Sequence, residues 1–194
     1  LIQLFDHLSM FFTLCRKFDI KLHPGKCVLF SLVVRWCGRL ISAEGSKFDP
    51  RRIEGLLQMS PPSTGADLQQ FLCAINWMRT AIPAFSTLVS PLHTLLETAY
   101  ARPGGKRTKA AVSRIPLSEV GWTGAHAEAF EKCQNALANA TTLAHPSPEK
   151  RICLYTDASQ DFWSSIATQI LPEDLDLPPE QQRHEPLALL SGSF

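Results

Sequence analysis

The chain has 194 residues, 45% of them hydrophobic, and a formal net charge of +1 at pH 7. That much apolar material excludes wholesale disorder. The near-neutral balance excludes a globally basic nucleic-acid binder, so contact with a polyanion would have to come from local patches.

No run of about 18 uninterrupted apolar residues is present, which argues against a membrane-spanning helix. The opening, Leu1-Ile2-Gln3-Leu4-Phe5-Asp6, has neither an initiator Met nor a signal-peptide layout, so the sequence reads as part of something longer. The six cysteines, at 15, 27, 37, 73, 133 and 153, form no Cys-x-x-Cys pair. Most lie in apolar runs and are read as buried, reduced thiols of an intracellular protein. A zinc site on His23, Cys27 and Cys37 lacks a fourth ligand at suitable spacing.

In chain order, Leu4, Leu8, Phe11, Cys15 and Phe18 recur at helical spacing and predict an amphipathic helix over 3–18. Pro24-Gly25 breaks the chain, and the run Val28 to Val34 predicts a strand. Trp36 to Ser42 is a second strand candidate, with turn chemistry at Ala43-Glu44-Gly45. Asp49-Pro50 is a helix N-cap followed by proline at the first helical position, and Pro61-Pro62 stops that helix. Ser63 or Thr64 can cap the next helix with Asp67 at capping-box distance, and Leu68, Phe71, Leu72, Ile75 and Met78 share its apolar face. A third helix is expected over about 86–98.

Residues 99–121 read as a linker, in which Arg102, Lys106, Arg107, Lys109 and Arg114 occur between Tyr100 and Ile115 without an acid. The stretch is either a solvated loop or a phosphate-contacting arm. A helix over about 123–140 turns Ala127, Phe130, Cys133 and Leu137 inward. The run Ile152 to Ser159 predicts a buried strand that delivers Asp157 to its end. Phe162 to Leu171 should pair with it as a hairpin, and Leu187 to Leu190 should add a third strand after an acidic, proline-rich loop.

Taken in register, these pieces resemble the reverse transcriptase and ribonuclease H region of gypsy-type LTR retrotransposon polyproteins. The resemblance runs through Leu22-His23-Pro24-Gly25-Lys26-Cys27, Cys37-Gly38-Arg39-Leu40-Ile41-Ser42 and Asp49-Pro50. It continues through Leu68-Gln69-Gln70-Phe71-Leu72, Asn76-Trp77-Met78-Arg79, Ile82-Pro83 and Pro91-Leu92. It ends with Trp122, Ala129-Phe130 and Thr156-Asp157-Ala158-Ser159. It departs at Phe162 and Ser164, and at Cys73, where relatives often carry glycine or another small residue.

The resemblance implies an α/β (α+β) chain in three parts. Residues 1–46 would complete a palm, 47–121 would form thumb helices and a basic linker, and 122–194 would begin a ribonuclease H-like sheet. It implies a parent that synthesises DNA on RNA and cuts the RNA strand of hybrids with magnesium. Asp157 would be the first metal ligand and catalytic carboxylate. No Asp-Asp pair occurs in the sequence. The polymerase pair is expected before Leu1, with the fingers and the rest of the palm, and the remaining ribonuclease H acids beyond Phe194. This chain would then bind no magnesium stably and would be inactive alone.

The expected partner is an RNA–DNA hybrid or primer–template duplex. Trp36, Cys37 and Gly38 would steady the primer strand. Gln69, Asn76 and Arg79 would line the duplex, with Arg102, Lys106, Arg107 and Lys109 as a basic arm. Ordinary alternatives stay open: a plain hairpin, exposed helix polarity, a core Trp77, and an aspartate that caps a turn. The rival reading of the whole is a non-catalytic nucleic-acid binding or interaction module derived from such an element.

Overall fold

The structure is a computed structural model that describes residues 2–101 and 115–194. Helices and two small antiparallel sheets make a mixed α/β fold. The chain divides into two compact units, one up to Val34 and the other Arg35–Phe194.

In the first unit, helix α1 (Ile2–Lys17) half-buries Leu4 and Leu8 and buries Cys15 on one face. Arg16 and Lys17 suit its negative C-terminal end. The strand expected from Val28 does not form up to Val33. Val28, Leu29, Phe30 and Leu32 are exposed instead. Strand propensity is realised only when a neighbour takes up the backbone N–H and C=O groups, and among the described residues no strand pairs with 28–33.

At the boundary begins a meander of β1 (Val34–Trp36), β2 (Arg39–Ser42) and β3 (Gly45–Phe48), all of it but Val34 in the second unit. The single strand expected over Trp36–Ser42 is therefore two, split by a turn at Cys37-Gly38. A third strand, which the sequence did not suggest, follows Ala43-Glu44. Helix α2 (Pro50–Leu57) starts as expected: the Asp49 carboxylate accepts from the Arg51 N–H at 3.1 Å.

Helix α3 (Gly65–Asn76) begins with a full capping box. The Asp67 N–H donates to the Thr64 hydroxyl at 3.2 Å, and the Thr64 N–H donates back to the Asp67 carboxylate at 3.0 Å. Hydrogen bonding by the Thr64 side chain, and secondarily by Ser63, holds the Asp67 carboxyl below the usual range. A folded-state value below the unfolded one means that this stabilisation is present above about pH 4 and is lost as pH falls through the folded value. Thr64→Ala should cost about 1 kcal/mol. Urea unfolding at neutral pH and again below about pH 4 should show the Asp67→Asn penalty shrinking in acid.

Helices α4 (Phe85–Ala101) and α5 (Gly124–Ala138) close a core with α3. Leu68, Phe71, Leu72 and Ile75 meet Leu92, Leu95 and Leu96, and Phe130, Cys133 and Leu137 enter from α5. Gln134 of α5 donates its side-chain amide to the carbonyls of Leu56, Leu57 and Met59 at 3.0–3.1 Å, satisfying the end of α2.

The second sheet orders β4 (Arg151–Ala158), β5 (Phe162–Ile170) and β6 (Glu185–Ser193). The hairpin is as the sequence suggested, and it is tight without glycine. The Ser159 N–H donates to the Phe162 carbonyl at 2.8 Å, and Phe162 N–H donates to the Ser159 hydroxyl at 3.2 Å. Phe162 keeps an extended strand conformation rather than a positive φ. Contrary to expectation, β4 is not buried: Ile152 is 71% exposed and Leu154 64%. Among the described residues it is an edge strand paired only with β5, and an apolar run alone does not say what covers it.

In the acidic loop, Arg183 grips both oxygens of buried Asp174, at 2.9 and 2.7 Å, and also pairs with Glu173. These bonds hold the Asp174 carboxyl down and push the Arg183 guanidinium up.

All six cysteines are free, but only Cys15 and Cys133 are buried; Cys27, Cys37 and Cys73 are exposed. The expectation of uniformly buried thiols fails because the surroundings of these three are local turns and a helix's outer face. Burial pushes the Cys133 thiol up to about 12.

Candidate functional site

At the β1–β2 turn both central residues have positive φ, 46° at Cys37 and 73° at Gly38, the backbone demanded by a tight two-residue hairpin turn. Gly38 is required by contact as well as by φ. A Cβ there would lie 2.6 Å from Arg52 Nε and 2.8 Å from Trp77 Cη2. The turn is therefore seated directly on α2 and on the residue that ends α3.

Around it, Trp77 packs 5.2 Å from Phe48, ring centre to ring centre, and remains 40% exposed. The Arg39 guanidinium lies 4.3 Å from the Phe48 ring centre and 5.8 Å from that of Trp77; the Arg52 guanidinium lies 5.2 Å from Trp77. Arg39 also donates to the Ser46 and Thr80 hydroxyls at 3.4 and 3.3 Å, and burial lowers its pKa. Arg35 is committed to Asp49 at 2.6 Å. Trp36 stands exposed at the head of the turn. Trp36, Cys37 and Gly38 are thus brought together with Trp77, Arg39 and Arg52 into one aromatic, cationic surface.

Farther up α3, Gln69 is half-buried and borders a shallow apolar groove with Gln70, Cys73 and Ala74. Its Oε1 is buried without a hydrogen-bond partner. Asn76 is exposed at the helix end. Arg79 is half-buried and donates to the Ser191 carbonyl at 2.6 Å, tying the helices to β6, while Ser191 Oγ accepts from the Ser86 N–H at 2.9 Å. Arg102, Lys106, Arg107 and Lys109 lie outside the described residues.

Asp157 sits near the end of β4, opposite Ser164 of β5, and is exposed. It borders a shallow depression with Thr156, Trp163, Ser164 and Leu190. Among the described residues no three His, Cys, Asp or Glu side chains converge as a metal-binding group. A magnesium pair needs several carboxylates or phosphates, and a lone carboxylate with hydroxyl neighbours does not fit one. His23, Cys27 and Cys37 belong to no such group either.

The sequence reading missed Arg52 and Arg39 as members of this surface, and a signal for Arg52 was present. Arg51-Arg52 places two cations in the first turn of α2, where the helix dipole favours acids.

Residues 122–178 match the RNase H-like domain found in reverse transcriptase. Over 178 residues the chain is 26% identical to the Retrovirus-related Pol polyprotein from transposon opus of Drosophila melanogaster, covering 92% of this chain and 16% of that one. It is 26% identical to the Gag-Pol polyprotein of Koala retrovirus over 80% of this chain and 8% of that one. The chain therefore spans about a sixth or less of these relatives' length.

In fold it is similar to the foamy viral protease-reverse transcriptase solved in complex with an RNA/DNA hybrid, with a TM-score of 0.64 and 20% identity. That likeness covers 88% of this chain and 20% of that one. No helix among the described residues is long and apolar enough to cross a membrane.

Proposed function

We propose that this chain is the part of a gypsy-type LTR retrotransposon Pol polyprotein that grips the nucleic-acid duplex between its two chemistries. Residues 1–46 complete the palm, 47–121 form the thumb and basic linker, and 122–194 begin the ribonuclease H-like domain. The parent's activities are RNA-directed DNA synthesis and cleavage of RNA in RNA–DNA hybrids.

The observation that carries this reading is the seating of the Cys37-Gly38 turn against Trp77, Arg39 and Arg52. Three chain segments present backbone, aromatic surface and guanidinium groups together. That combination suits a sugar–phosphate backbone, which is recognised by charge and close backbone approach rather than by base edges. The similarity to Pol polyproteins, and to a reverse transcriptase solved on a hybrid, supports the same partner. Gln69 and Asn76 extend the surface along α3.

In the parent, magnesium would supply charge stabilisation for phosphoryl transfer, and Asp157 would contribute one ligand. Among the described residues, those around Asp157 do not make up such a site. The chain's own task is accordingly to hold and orient the duplex, without turnover. A non-catalytic binding module derived from the element would use the same surface, and the same experiment bears on it.

The purified chain, incubated with magnesium, a primed template and a labelled hybrid, is expected to give neither extension nor cleavage above a contaminant control. It should bind the hybrid with an affinity that falls as salt rises. Clear turnover would overturn the inactive reading, and binding indifferent to salt would overturn the duplex-holding one.

A further inference from the structure

We propose that Arg52 is a phosphate-contacting residue, held against Trp77 beside the Cys37-Gly38 turn so that its guanidinium receives a phosphodiester oxygen of the bound duplex. This rests on the duplex-holding reading above and adds to it a residue that the sequence did not single out.

Four observations converge on it. First, Arg52 stands in the opening turn of α2, next to Arg51, with no acid in that turn. Cations there oppose the helix dipole, so helix formation does not explain them. A residue that breaks a local rule inside an otherwise well-capped helix points to a role outside the helix.

Second, the side chain is exposed yet fixed. It lies 5.2 Å from the Trp77 ring centre, and its Nε and Cδ would be 2.6 and 2.9 Å from a Cβ at Gly38. The missing Cβ is what lets the arginine lie along the turn. A guanidinium immobilised by stacking loses little freedom when it binds, and its planar fork matches two phosphate oxygens.

Third, among the described residues no acid is paired with Arg52. Arg39 lies over the same Trp77 ring and, among the described residues, bonds to the Ser46 and Thr80 hydroxyls, while Asp49 is taken by Arg35 and by the α2 cap. Two guanidinium groups around one indole repel each other, and a bound anion relieves that repulsion.

Fourth, the turn beside it carries two consecutive positive-φ residues and an exposed Trp36. A polyanion strand can therefore pass close to the backbone there. Phosphate from a duplex and free phosphate share this chemistry; the exposed rings of Trp36 and Trp77, which free phosphate does not use, favour the duplex.

The test is fluorescence anisotropy of a labelled RNA–DNA hybrid titrated with the full chain at several KCl concentrations, for wild type, Arg52→Gln and Arg52→Lys. Far-UV circular dichroism and a thermal melt serve as folding controls. Loss of one phosphate contact should reduce the slope of log K against log salt by about 0.9 in Arg52→Gln. Arg52→Lys should keep the slope and bind several-fold more weakly, because lysine keeps the charge and lacks the stacked fork.

A folded Arg52→Gln with wild-type affinity and slope overturns this inference while leaving the duplex-holding reading intact. If Arg52→Gln fails to melt cooperatively, Arg52→Lys decides: wild-type affinity in that variant refutes the stacked-fork geometry. A wild-type chain that shows no salt-dependent binding sinks both readings. In a parallel arm, phosphate replaces chloride at constant ionic strength. Phosphate binding that Arg52→Gln abolishes, with hybrid affinity unchanged by phosphate and by the substitution, would reassign the site to a free phosphate and overturn the duplex contact.

Discussion

Replacing Phe130 with alanine is expected to cost about 3–5 kcal/mol of folding stability. The ring is 1% exposed and meets Phe71 with centres 4.5 Å apart, so it is the wedge by which α5 enters the core of α3 and α4. Truncation removes its buried area and leaves a cavity that can shrink only if α5 moves inward. That movement is opposed at two points that follow Phe130 in the chain. Gln134 is bonded to the carbonyls that close α2, and the Thr141 N–H donates to the Ala81 carbonyl at 2.9 Å.

Domains of this size are typically stable by about 5–15 kcal/mol, so the loss is a large fraction of the whole. Urea unfolding followed by tryptophan fluorescence measures it directly. Phe130→Leu, which keeps most of the volume, should lose less than about 1.5 kcal/mol. If Phe130→Ala loses no more than Phe130→Leu, the helical core does not turn on this residue.

The helices were legible because each carried two independent signals. For α3 the spacing of Leu68, Phe71, Leu72 and Ile75 marked the buried face, and Thr64 with Asp67 marked the start; both were local. For α2, Asp49-Pro50 did the same. The strands were less legible because their existence depends on partners far away in sequence. Val28 to Val33 has strand composition and no strand. Gly45–Phe48 has poor strand composition and forms one, because it pairs along Arg39–Ser42 and Ser46 also finds both its bonds at Leu143. Ile152 and Leu154 read as buried and are exposed, since periodicity records polarity and not what stacks on the sheet.

The site divides the same way. Trp36, Cys37 and Gly38 stood out as a local motif, and so did Trp77. That the turn rests on Trp77, with Arg39 and Arg52 beside it, is a tertiary fact about chain segments almost 40 residues apart. The one local hint was the pair of arginines where a helix prefers acids. Arg79 shows the converse: an arginine on an exposed-looking helix end is occupied by the Ser191 carbonyl, an acceptor more than a hundred residues away.

Gly45→Ala is expected to be the second severe substitution, with a loss of about 2–5 kcal/mol, the sum of backbone strain and a steric clash. Gly45 has φ 135°, a conformation that side chains rarely adopt, and a Cβ there would lie 2.3 Å from the Leu143 carbonyl oxygen. That oxygen cannot swing aside like a flexible side chain. It accepts from the Ser46 N–H at 2.7 Å, and the Leu143 N–H donates to the Ser46 carbonyl at 2.9 Å. Together with the bond between the His145 ring and the Ser42 carbonyl at 2.7 Å, this bridge docks the β2–β3 hairpin on the segment that leads into β4.

Parting them strains the hairpin that carries Arg39 and Phe48, so hybrid binding should weaken along with stability. Gly121→Ala separates the two causes. Gly121 also has a positive φ, 97°, but nothing lies within 4 Å of a Cβ there. It should therefore lose only the backbone part, about 1–2 kcal/mol, and leave hybrid binding unchanged. Urea unfolding and hybrid anisotropy on both variants give the comparison. Equal losses for the two would mean that the Leu143 segment yields freely, and the bridge would then not be what fixes the hairpin.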